Sequence, residues 1–278
     1  MRSTQPTSGT TNYFHDKVVV ITGSSAGLGL ALAGAFVREF AKLIIIGRDV
    51  AKLEQAAAQL RATSSNVSVI PADVTVTEDV ARLFETVQHD FGRLDVLINN
   101  VGRSQRGKAS ETSPQQFQEL WEVNFLSAVR CTQAAIPMLT ASKGHLVNIG
   151  SLSAKVATPL LGAYPASKFP LAAYSQQLRL ELTDYGIHVL LVCPGPIHRD
   201  DAGERYAEQA TGLPESATRP GGGANLTAID PNWLANRILD ACRKRRPELV
   251  VPSKARWLFA VGQLWPSLGD WIVRKKTS

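Results

Sequence analysis

Short runs of apolar residues alternate along the chain with longer segments in which apolar positions recur every three or four residues. The short runs, such as VVVI, LIII and VLLVC, lack polar alternation, which is typical of strands covered on both faces. The longer segments have the period of amphipathic helices. The predicted strands span residues 17–22, 43–46, 67–70, 96–98, 146–149, 189–193 and 249–251. The predicted helices span residues 28–40, 49–61, 78–91, 114–139, 161–185 and 231–243.

Strands and helices follow one another in turn from residue 17 to about residue 251, with short connections. Parallel strands joined by right-handed helical crossovers produce this order. The sequence therefore predicts an α/β fold: a doubly wound, mainly parallel seven-stranded sheet with helices on both faces, of the Rossmann type. No repeat and no shift in composition divides the alternation, so residues 15–252 are predicted to form a single domain.

Three segments lie outside the regular alternation. Residues 1–14 are rich in Ser, Thr, Gly and Pro, so we expect a flexible N-terminal arm and not a signal peptide. Residues 197–230 form a long insertion with the run RPGGGAN, which indicates a functional or mobile loop, with a short helix over residues 200–209. Residues 253–278 are a basic, tryptophan-containing C-terminal extension.

The composition is that of a globular protein with a sizeable core. Of the 278 residues, 44% are hydrophobic and 19% are charged, which excludes a disordered chain, a collagen and a disulfide scaffold. No apolar run reaches the ~18–20 residues needed to span a bilayer. The cysteines Cys131, Cys193 and Cys242 are odd in number and far apart, and the histidines have no metal-ligand spacing. We therefore expect a reducing, cytoplasmic compartment and no metal.

The positive charge is concentrated at the C-terminal end. The net charge is +6, but residues 242–278 hold nine Lys or Arg and two acidic residues, and all earlier residues sum to −1. This distribution argues against a broad nucleic-acid-binding face. At helical spacing, Trp257, Val261, Leu264 and Leu268 would share one apolar face, which Pro266 would interrupt. Such a segment either contacts a membrane surface peripherally or packs against residues 197–230 or a neighbouring subunit.

A glycine-rich turn follows the first predicted strand and leads into a helix. Glycines at Gly23, Gly27 and Gly29 allow a sharp turn and a close approach of the backbone to a pyrophosphate, which the helix N-terminus holds. An ordinary strand-to-helix turn that favours glycine is the alternative. The segment resembles the TGxxxGxG turn of the short-chain dehydrogenase/reductase family. This resemblance implies that Gly23, Ser24, Ser25, Gly27, Leu28 and Gly29 contact a dinucleotide.

The end of the second strand bears on the choice of cofactor. A dinucleotide fold that prefers NAD places an acidic residue here to bind the ribose 2′-hydroxyl. Gly47 stands at that position and Arg48 follows, and a guanidinium can pair with a 2′-phosphate. A solvated arginine that opens a helix is the other interpretation. The sequence favours NADP(H), with NAD(H) as the alternative.

Three further segments extend the resemblance over roughly residues 15–252. Asp73 and Val74 match the family's adenine contact, although Asp73 could equally cap a turn or the next helix. Asn100, Val101 and Gly102 resemble the end of the family's NNAG segment, and Pro194, Gly195 and Ile197 resemble its PG segment beside the nicotinamide. Arg199 stands where the family commonly has Thr or Ser, and it either reaches a phosphate or an acidic substrate group or lies in solvent.

The candidate catalytic pair is Tyr164 and Lys168. Side chains at positions i and i+4 share one face of a helix, and an ammonium beside a phenol lowers the pKa of the phenol. Tyr164 would then exchange a proton with a carbinol oxygen while hydride moves to or from a nicotinamide. The resemblance adds Ser151, which would orient the substrate, and Asn124, which would bend its helix and hold a water beside Lys168. A buried structural Asn124 is the alternative.

Together these motifs predict an NADP(H)-dependent oxidoreductase that interconverts a ketone or aldehyde and an alcohol, with an apolar carbonyl as the expected substrate. An NAD(H)-dependent alcohol dehydrogenase of the same family is the alternative, followed by a non-catalytic nucleotide-sensing regulator. The family resemblance implies a homodimer or homotetramer that associates through residues 114–139 and 161–185. No nucleic-acid partner is expected.

Overall fold

Seven strands form one parallel sheet in the computed structural model, which describes residues 12–199, 206–219, 221, 223 and 226–277. The strands are β1 (Val18–Thr22), β2 (Lys42–Gly47), β3 (Val67–Pro71), β4 (Val96–Asn99), β5 (His145–Ile149), β6 (His188–Pro194) and β7 (Glu248–Val251). Each predicted strand end lies within one residue of the observed end. The order across the sheet is β3-β2-β1-β4-β5-β6-β7, and every neighbouring pair is parallel.

The strand order reverses its direction between β1 and β4. From β1 the chain first moves outward through β2 and β3, and it then returns to place β4 on the other side of β1. In open α/β sheets a ligand crevice forms at the carboxyl ends of the strands on either side of such a switch point. The doubly wound, Rossmann-type prediction is confirmed, and the fold itself indicates where a site forms.

Nine α-helices connect or cover the strands within the described residues. They are α1 (Gly27–Arg38), α2 (Val50–Arg61), α3 (Thr77–Phe91), α4 (Pro114–Trp121), α5 (Ser127–Ser142), α6 (Tyr164–Glu181), α7 (Pro231–Arg243), α8 (Ala255–Leu264) and α9 (Pro266–Thr277). The single helix predicted over residues 114–139 is in fact divided, because a π-helical turn, Glu122–Leu126, separates α4 from α5. α6 begins at Tyr164 and not at residue 161, since Gly162 has a left-handed φ of +51°.

The sheet is covered on both faces, as its continuous apolar runs predict. Alternate residues of β1 belong to different core clusters. Val19 and Ile21 pack in the cluster that α1, α2 and α7 cover, and Val18 and Val20 pack in the cluster with α3 and α5. Because both side-chain directions of β1 are buried, its first four residues are all apolar.

The N-terminal boundary of the domain differs from the prediction. Phe14, which the sequence analysis placed in a flexible arm, has no exposed surface and packs edge-on against Phe36 at a ring-centroid distance of 4.9 Å. The neighbouring Tyr13 hydroxyl lies 3.0 Å from Nε2 of His145. The ordered domain therefore includes Tyr13 and Phe14, and the boundary predicted at residue 15 is corrected.

The insertion at residues 197–230, here called the substrate segment, is irregular where it is described. The helix predicted over residues 200–209 falls largely outside the described residues, and from Tyr206 onward the chain forms turns. One short 3-10 helix, Glu215–Thr218, follows.

After β7, α8 and α9 form the C-terminal extension, and the predicted interruption lies at Trp265, directly before Pro266. Among the described helices, none has the length and apolar character to cross a membrane.

A buried chain of hydrogen bonds lies at the amino-terminal edge of β5 and β6. Nδ1 of His145 is 2.8 Å from Nδ1 of His188, and Nε2 of His188 is 2.7 Å from the Arg246 carbonyl oxygen. With the Tyr13 hydroxyl on His145, both imidazoles are hydrogen-bonded while neutral. The Cys242 thiol lies beside the two imidazoles. Each of these three buried residues offers one atom that could bind a metal, and the three atoms lie within 4.8 Å of one another. Burial lowers the pKa of His145 to about 3 and that of His188 to about 4.

The histidine pair predicts a loss of stability in mild acid. In the unfolded chain both imidazoles bind protons near pH 6.5, whereas in the folded protein they stay neutral until about pH 4. The unfolded state therefore binds more protons below pH 6.5, and the free energy of unfolding falls as the pH decreases. Urea unfolding between pH 7 and pH 5 measures this slope. In the His145→Gln variant, the slope of the free energy of unfolding against pH falls by up to about 1.4 kcal/mol per pH unit.

The exposed His89 provides the matched control. His89→Gln is expected to leave the slope at its wild-type value. Identical slopes in wild type and His145→Gln would show that the buried pair does not resist protonation.

Candidate active site

A cavity of about 980 Å³ opens at the carboxyl ends of the strands, above the switch point between β1 and β4. It brings together most of the predicted site residues. Those that line it are Gly23, Ser25, Leu28, Gly29, Arg48, Asp73, Val74, Asn100, Val101, Gly102, Ser151, Tyr164, Lys168, Pro194, Gly195 and Ile197. The predicted residues Ser24, Gly27 and Asn124 are not part of its lining.

The glycine turn requires glycine for two physical reasons. Gly23 and Gly27 have left-handed φ values of +63° and +55°, which residues with a Cβ seldom adopt. A Cβ on Gly29 would lie 2.2 Å from the Gly23 carbonyl oxygen and 2.7 Å from Nδ2 of Asn100. The Asn100 amide holds this turn, because it donates to the carbonyl oxygens of Thr22 and Gly23 at 3.0 Å. The backbone of the turn therefore stays open to a ligand at the start of α1.

Ser24 has a structural role in the turn. Its residue is fully buried, and its hydroxyl donates to the Ile21 carbonyl oxygen at 2.8 Å and accepts from the Ile46 amide at 2.8 Å. These bonds fasten the turn to β2. The prediction that Ser24 contacts the cofactor is thus corrected for its side chain, which points into the protein because the end of β2 needs a hydrogen-bond partner there.

Two cations and two carboxylates mark the end of the cavity beside β2 and β3, and Lys52 lies 3.2 Å from the Asp49 carboxylate there. The Arg48 guanidinium lies 3.4 Å from the Asp73 carboxylate, and the Arg48 side chain is largely exposed. Burial opposes ionisation of Asp73, but hydrogen bonds from Thr75 and the Arg48 charge outweigh it and lower the pKa of Asp73. Asp73 thus caps a turn and also lines the cavity. Lys52, on the first turn of α2, lines the cavity as well, and sequence reasoning missed it.

Tyr164 and Lys168 meet Ser151 at the other end of the cavity. Tyr164 is the first residue of α6, and Lys168 follows one turn later on the same face. Lys168 is 4% exposed, and its Nζ donates to the Ile149 carbonyl oxygen at 3.0 Å. A Cβ on Gly102 would lie 3.1 Å from this Nζ, so the missing side chain leaves room for the amine.

The pKa values differ from the simplest expectation for this pair. Burial raises the pKa of Tyr164 to about 12, and a hydrogen bond with Ser151 and the Arg106 charge oppose that rise. Burial also lowers the pKa of Lys168 to about 8. The net shift of the Tyr164 pKa is therefore opposite to the sequence-based expectation, because burial outweighs the charges around the phenol.

Asn124 lies at the centre of the π-helical turn and is buried. Its Oδ1 accepts from the Arg103 amide at 2.8 Å, and its Nδ2 donates to the Arg103 carbonyl oxygen at 2.9 Å and to the Ser167 hydroxyl at 2.8 Å. The predicted bend of the helix is present. These bonds join α4 and α5 to the chain after β4 and to the neighbour of Lys168, so the polar side chain is fully partnered.

Arg106 is a second buried cation near Tyr164, and no motif in the sequence marks it. Arg106 is 5% exposed, its Nε donates to the Ala217 carbonyl oxygen at 2.6 Å, and its guanidinium lies 3.9 Å from the centre of the Tyr206 ring. Nη2 donates to the Arg219 carbonyl oxygen at 3.3 Å. Arg106 therefore ties the described part of the substrate segment to the wall of the cavity. The position of Arg106 depends on contacts between distant parts of the chain, and sequence periodicity does not reveal such contacts.

The remaining walls come from the chain after β6 and from the C-terminal extension. The Gly195 amide donates to the Val251 carbonyl oxygen at 2.7 Å, and Ile197 pairs with Ile229. A Cβ on Gly27 would lie 3.2 Å from Nη1 of Arg199, so this guanidinium covers the glycine turn. Leu258 and Phe259 of α8 close the cavity from the side of the C-terminal extension.

The packing around Gly29 predicts a large difference between two glycine-to-alanine substitutions, both within helices. Gly29→Ala forces its methyl group against the Gly23 carbonyl, and overpacking of this kind lowers the free energy of unfolding by about 1–3 kcal/mol. In α8, a Cβ on Gly262 meets nothing within 4 Å, so Gly262→Ala raises the free energy of unfolding by about 0.5–1 kcal/mol. Urea unfolding compares the two variants with wild type. Equal stability of the two variants would contradict the described turn.

Comparison with known proteins agrees with this geometry. The sequence profile of the short chain dehydrogenase family matches residues 17–210. The ketoacyl reductase HetN of Nostoc is 31% identical over 93% of this chain and 88% of its own length. A dehydrogenase/reductase SDR family protein 7-like of Drosophila melanogaster is also 31% identical, over 95% of this chain and 82% of its own length.

A solved structure shows the same fold. L-sorbose reductase from Gluconobacter frateurii, crystallised with NADPH and L-sorbose, superposes with a TM-score of 0.76 at 27% sequence identity. The match covers 86% of this chain and 96% of that chain. The profile, the relatives and the shared fold establish what the glycine turn and the Tyr164–Lys168 pair predict: the chain belongs to the short-chain dehydrogenase/reductase family of oxidoreductases.

Proposed function

We propose that the protein is an NADP(H)-dependent reductase of an apolar ketone or aldehyde. The main support for this proposal is that one cavity contains both a phosphate-binding turn and a candidate acid/base group. The glycine turn with Arg48 and Lys52 lies at one end, and Tyr164, Lys168 and Ser151 lie at the other. A dinucleotide is long enough to connect a phosphate cradle with an acid/base group, and this family is one of oxidoreductases.

The residues present fit the cofactor. Gly23 and Gly29 leave space for a pyrophosphate against the backbone, and the dipole of α1 favours its negative charge. Arg48 and Lys52 offer two cations to a 2′-phosphate, and Asp73 and Val74 would flank the adenine. Pro194, Gly195 and Ile197 would border the nicotinamide. When bound, the reduced cofactor supplies the hydride.

Tyr164 would supply the proton in the direction of reduction. The carbonyl carbon of the substrate accepts the hydride, and its oxygen takes the phenolic proton, so an alcohol forms and Tyr164 is left as the phenolate. Lys168 and Arg106 stabilise that phenolate electrostatically. Ser151, which lines the cavity with Tyr164, would orient the substrate oxygen. Asn124 would hold a water near Lys168, through which the proton is replaced.

The walls of the cavity favour an apolar substrate. Leu258, Phe259 and Val273 of the C-terminal extension line the cavity that contains Tyr164, and the polar residues that the extension adds are Lys254, Lys276 and Thr277. Thr158 lines the cavity as well, and within the described part of the chain its buried hydroxyl has no hydrogen-bond partner, so it is available to one substrate oxygen. An acyl or other aliphatic carbonyl fits this surface better than a polyol does.

The protein is also proposed to form a homodimer or homotetramer. Trp121 on α4, and Phe169 and Leu180 on α6, expose large apolar surfaces on the two helices that the family resemblance implies in association. These two helices pack against each other, so they form a continuous surface. Burial of these side chains against a second copy would remove apolar area from water.

An NAD(H)-dependent alcohol dehydrogenase is the second candidate. The Asp73 carboxylate lies beside Arg48, and it reduces the positive charge that a 2′-phosphate would meet. A preference for NAD(H) would then shift the expected direction toward oxidation of an alcohol. The cofactor titration below separates the two candidates.

Fluorescence titration with NADPH and with NADH tests the assignment of the cofactor. In Arg48→Ala the affinity for NADPH falls at least about tenfold, because a charge-assisted hydrogen bond contributes about 1.5–3 kcal/mol. Lys52→Ala also lowers the affinity for NADPH, and neither variant changes the affinity for NADH. Arg82→Ala, an exposed arginine on α3 that pairs with Asp79, is the control. Equal binding of both cofactors by wild type would favour the second candidate.

The pH dependence of reduction tests the acid/base assignment. Tyr164 must be protonated to act as the acid, so reduction is lost as the pH rises through its pKa. Arg106→Leu removes a charge that lowers this pKa, and the loss of activity moves to higher pH. Tyr164→Phe lowers kcat by about 10²–10⁴-fold, the usual contribution of general acid catalysis, and it leaves NADPH binding intact. Full activity of Tyr164→Phe would overturn the assignment.

A further inference from the structure

The C-terminal extension folds back on itself as a helical hairpin of α8 and α9. The two helices cross closely at a pair of glycines, because a Cβ on Gly269 would lie 2.6 Å from the Cα of Gly262. Trp265 and Pro266 form the tip, where the helical conformation is broken. At this crossing the backbones of α8 and α9 are in contact, and Gly269 has no room for a side chain.

One side of the hairpin belongs to the active site. Leu258, Phe259 and Val273 line the cavity that holds Tyr164. At the end of α9, the Thr277 carbonyl oxygen would lie 3.2 Å from a Cβ on Gly223 of the substrate segment. The hairpin is therefore a wall of the cavity and also a neighbour of the substrate segment.

Other positions of the hairpin expose large apolar side chains to solvent. Trp257 is 77% exposed, and Leu264, Trp265 and Trp271 are each more than half exposed. Leu268 next to the tip is exposed as well. Together with Pro266 they form an apolar surface along the hairpin and across its tip. Tryptophan is the residue that is enriched where an apolar layer meets water, since its ring is apolar and its N–H is polar.

Five exposed cations lie on the same hairpin, and two of them, Lys254 and Lys276, also line the cavity. Lys254 and Arg256 stand at the beginning of α8, and Arg274, Lys275 and Lys276 stand in the last turns of α9. Because the helices are antiparallel neighbours, both groups lie at the end of the hairpin away from the tip. With Asp270 as the one acidic residue, residues 254–276 carry a net charge of +4. A basic, tryptophan-bearing surface complements an anionic lipid headgroup layer.

A second copy of the chain fits this surface less well. In a two-fold symmetric contact the same patch faces itself, so two surfaces that each carry a net charge of +4 would approach each other. The cores of protein interfaces are depleted in charge. The helices are also too short to cross a bilayer, because the ten residues of α8 reach about 15 Å and a bilayer core is about 30 Å thick.

We propose that the α8–α9 hairpin docks the protein on the surface of an anionic lipid bilayer, with Trp257, Trp265 and Trp271 inserted at the headgroup level. The hairpin is at the same time a wall of the cavity, so the cavity lies next to the membrane when the protein is docked. Its carbonyl substrate would then be a lipid-like molecule that enters from the bilayer. The statement on the substrate rests on the proposed function, whereas the docking does not.

Vesicle flotation without cofactor tests the docking. Full-length protein is mixed with vesicles of phosphatidylcholine alone or with 30 mol% phosphatidylglycerol, at low and at high salt. We expect binding to the anionic vesicles that weakens with salt. The triple variant Trp257→Ser, Trp265→Ser, Trp271→Ser should lose at least about tenfold in bound fraction. Trp233→Ser, an exposed tryptophan on α7, is the matched control and should bind as wild type does.

Several results would overturn the proposal. The proposal fails if wild-type protein does not float with anionic vesicles, or if the triple variant floats as well as wild type does. It also fails if wild type shows no flotation and the triple variant changes from oligomer to monomer. The last result would mean that a second copy covers the hairpin. Because flotation is measured without turnover, failure of the proposed reductase activity leaves this outcome unaffected, and the two failures are distinguishable.

Discussion

Placing the Lys168 amine beneath the carboxyl edge of the sheet disfavours its charged form and lowers its pKa to about 8. Most of the site geometry accommodates this amine. The Ile149 carbonyl at the end of β5 accepts its hydrogen bond, and Gly102 leaves it space. The π-helical turn brings Asn124 to Ser167, the neighbour of Lys168. Under the proposed function, this amine when protonated would stabilise the Tyr164 phenolate.

The same electrostatic balance links the substrate segment to the acid/base group. Tyr164 is held neutral by burial, so its ionisation depends on the cations around it. Arg106 is one of them, and its position depends on carbonyl oxygens of Ala217 and Arg219 and on the Tyr206 ring. A substrate that rearranges this segment would therefore also change the charge that Tyr164 experiences. Under the proposed function, substrate binding and proton transfer would be coupled through the Arg106 guanidinium.

The strands and the glycine turn were predictable because local patterns determine them. A strand buried on both faces has a continuous apolar sequence, and β1, β2 and β6 end within one residue of the expected positions. Features that depend on distant contacts were not predictable. Phe14 is buried because Phe36 lies opposite it. Arg106 and Lys52 join the cavity through the course of the folded chain, and the π-helical turn arises where Asn124 reaches the Arg103 backbone.

Transfer of deuterium tests the central claim, hydride addition to a carbonyl with Tyr164 as the acid. Both epimers of NADPH labelled with deuterium at C4 would be incubated with a panel of 3-ketoacyl thioesters, long-chain ketones and ketoses, with analysis of the products by mass spectrometry. The account predicts an alcohol that carries one deuterium, from one of the two epimers only, with a preference for the apolar carbonyls. Bound NADPH with no labelled alcohol from any member of the panel would contradict it.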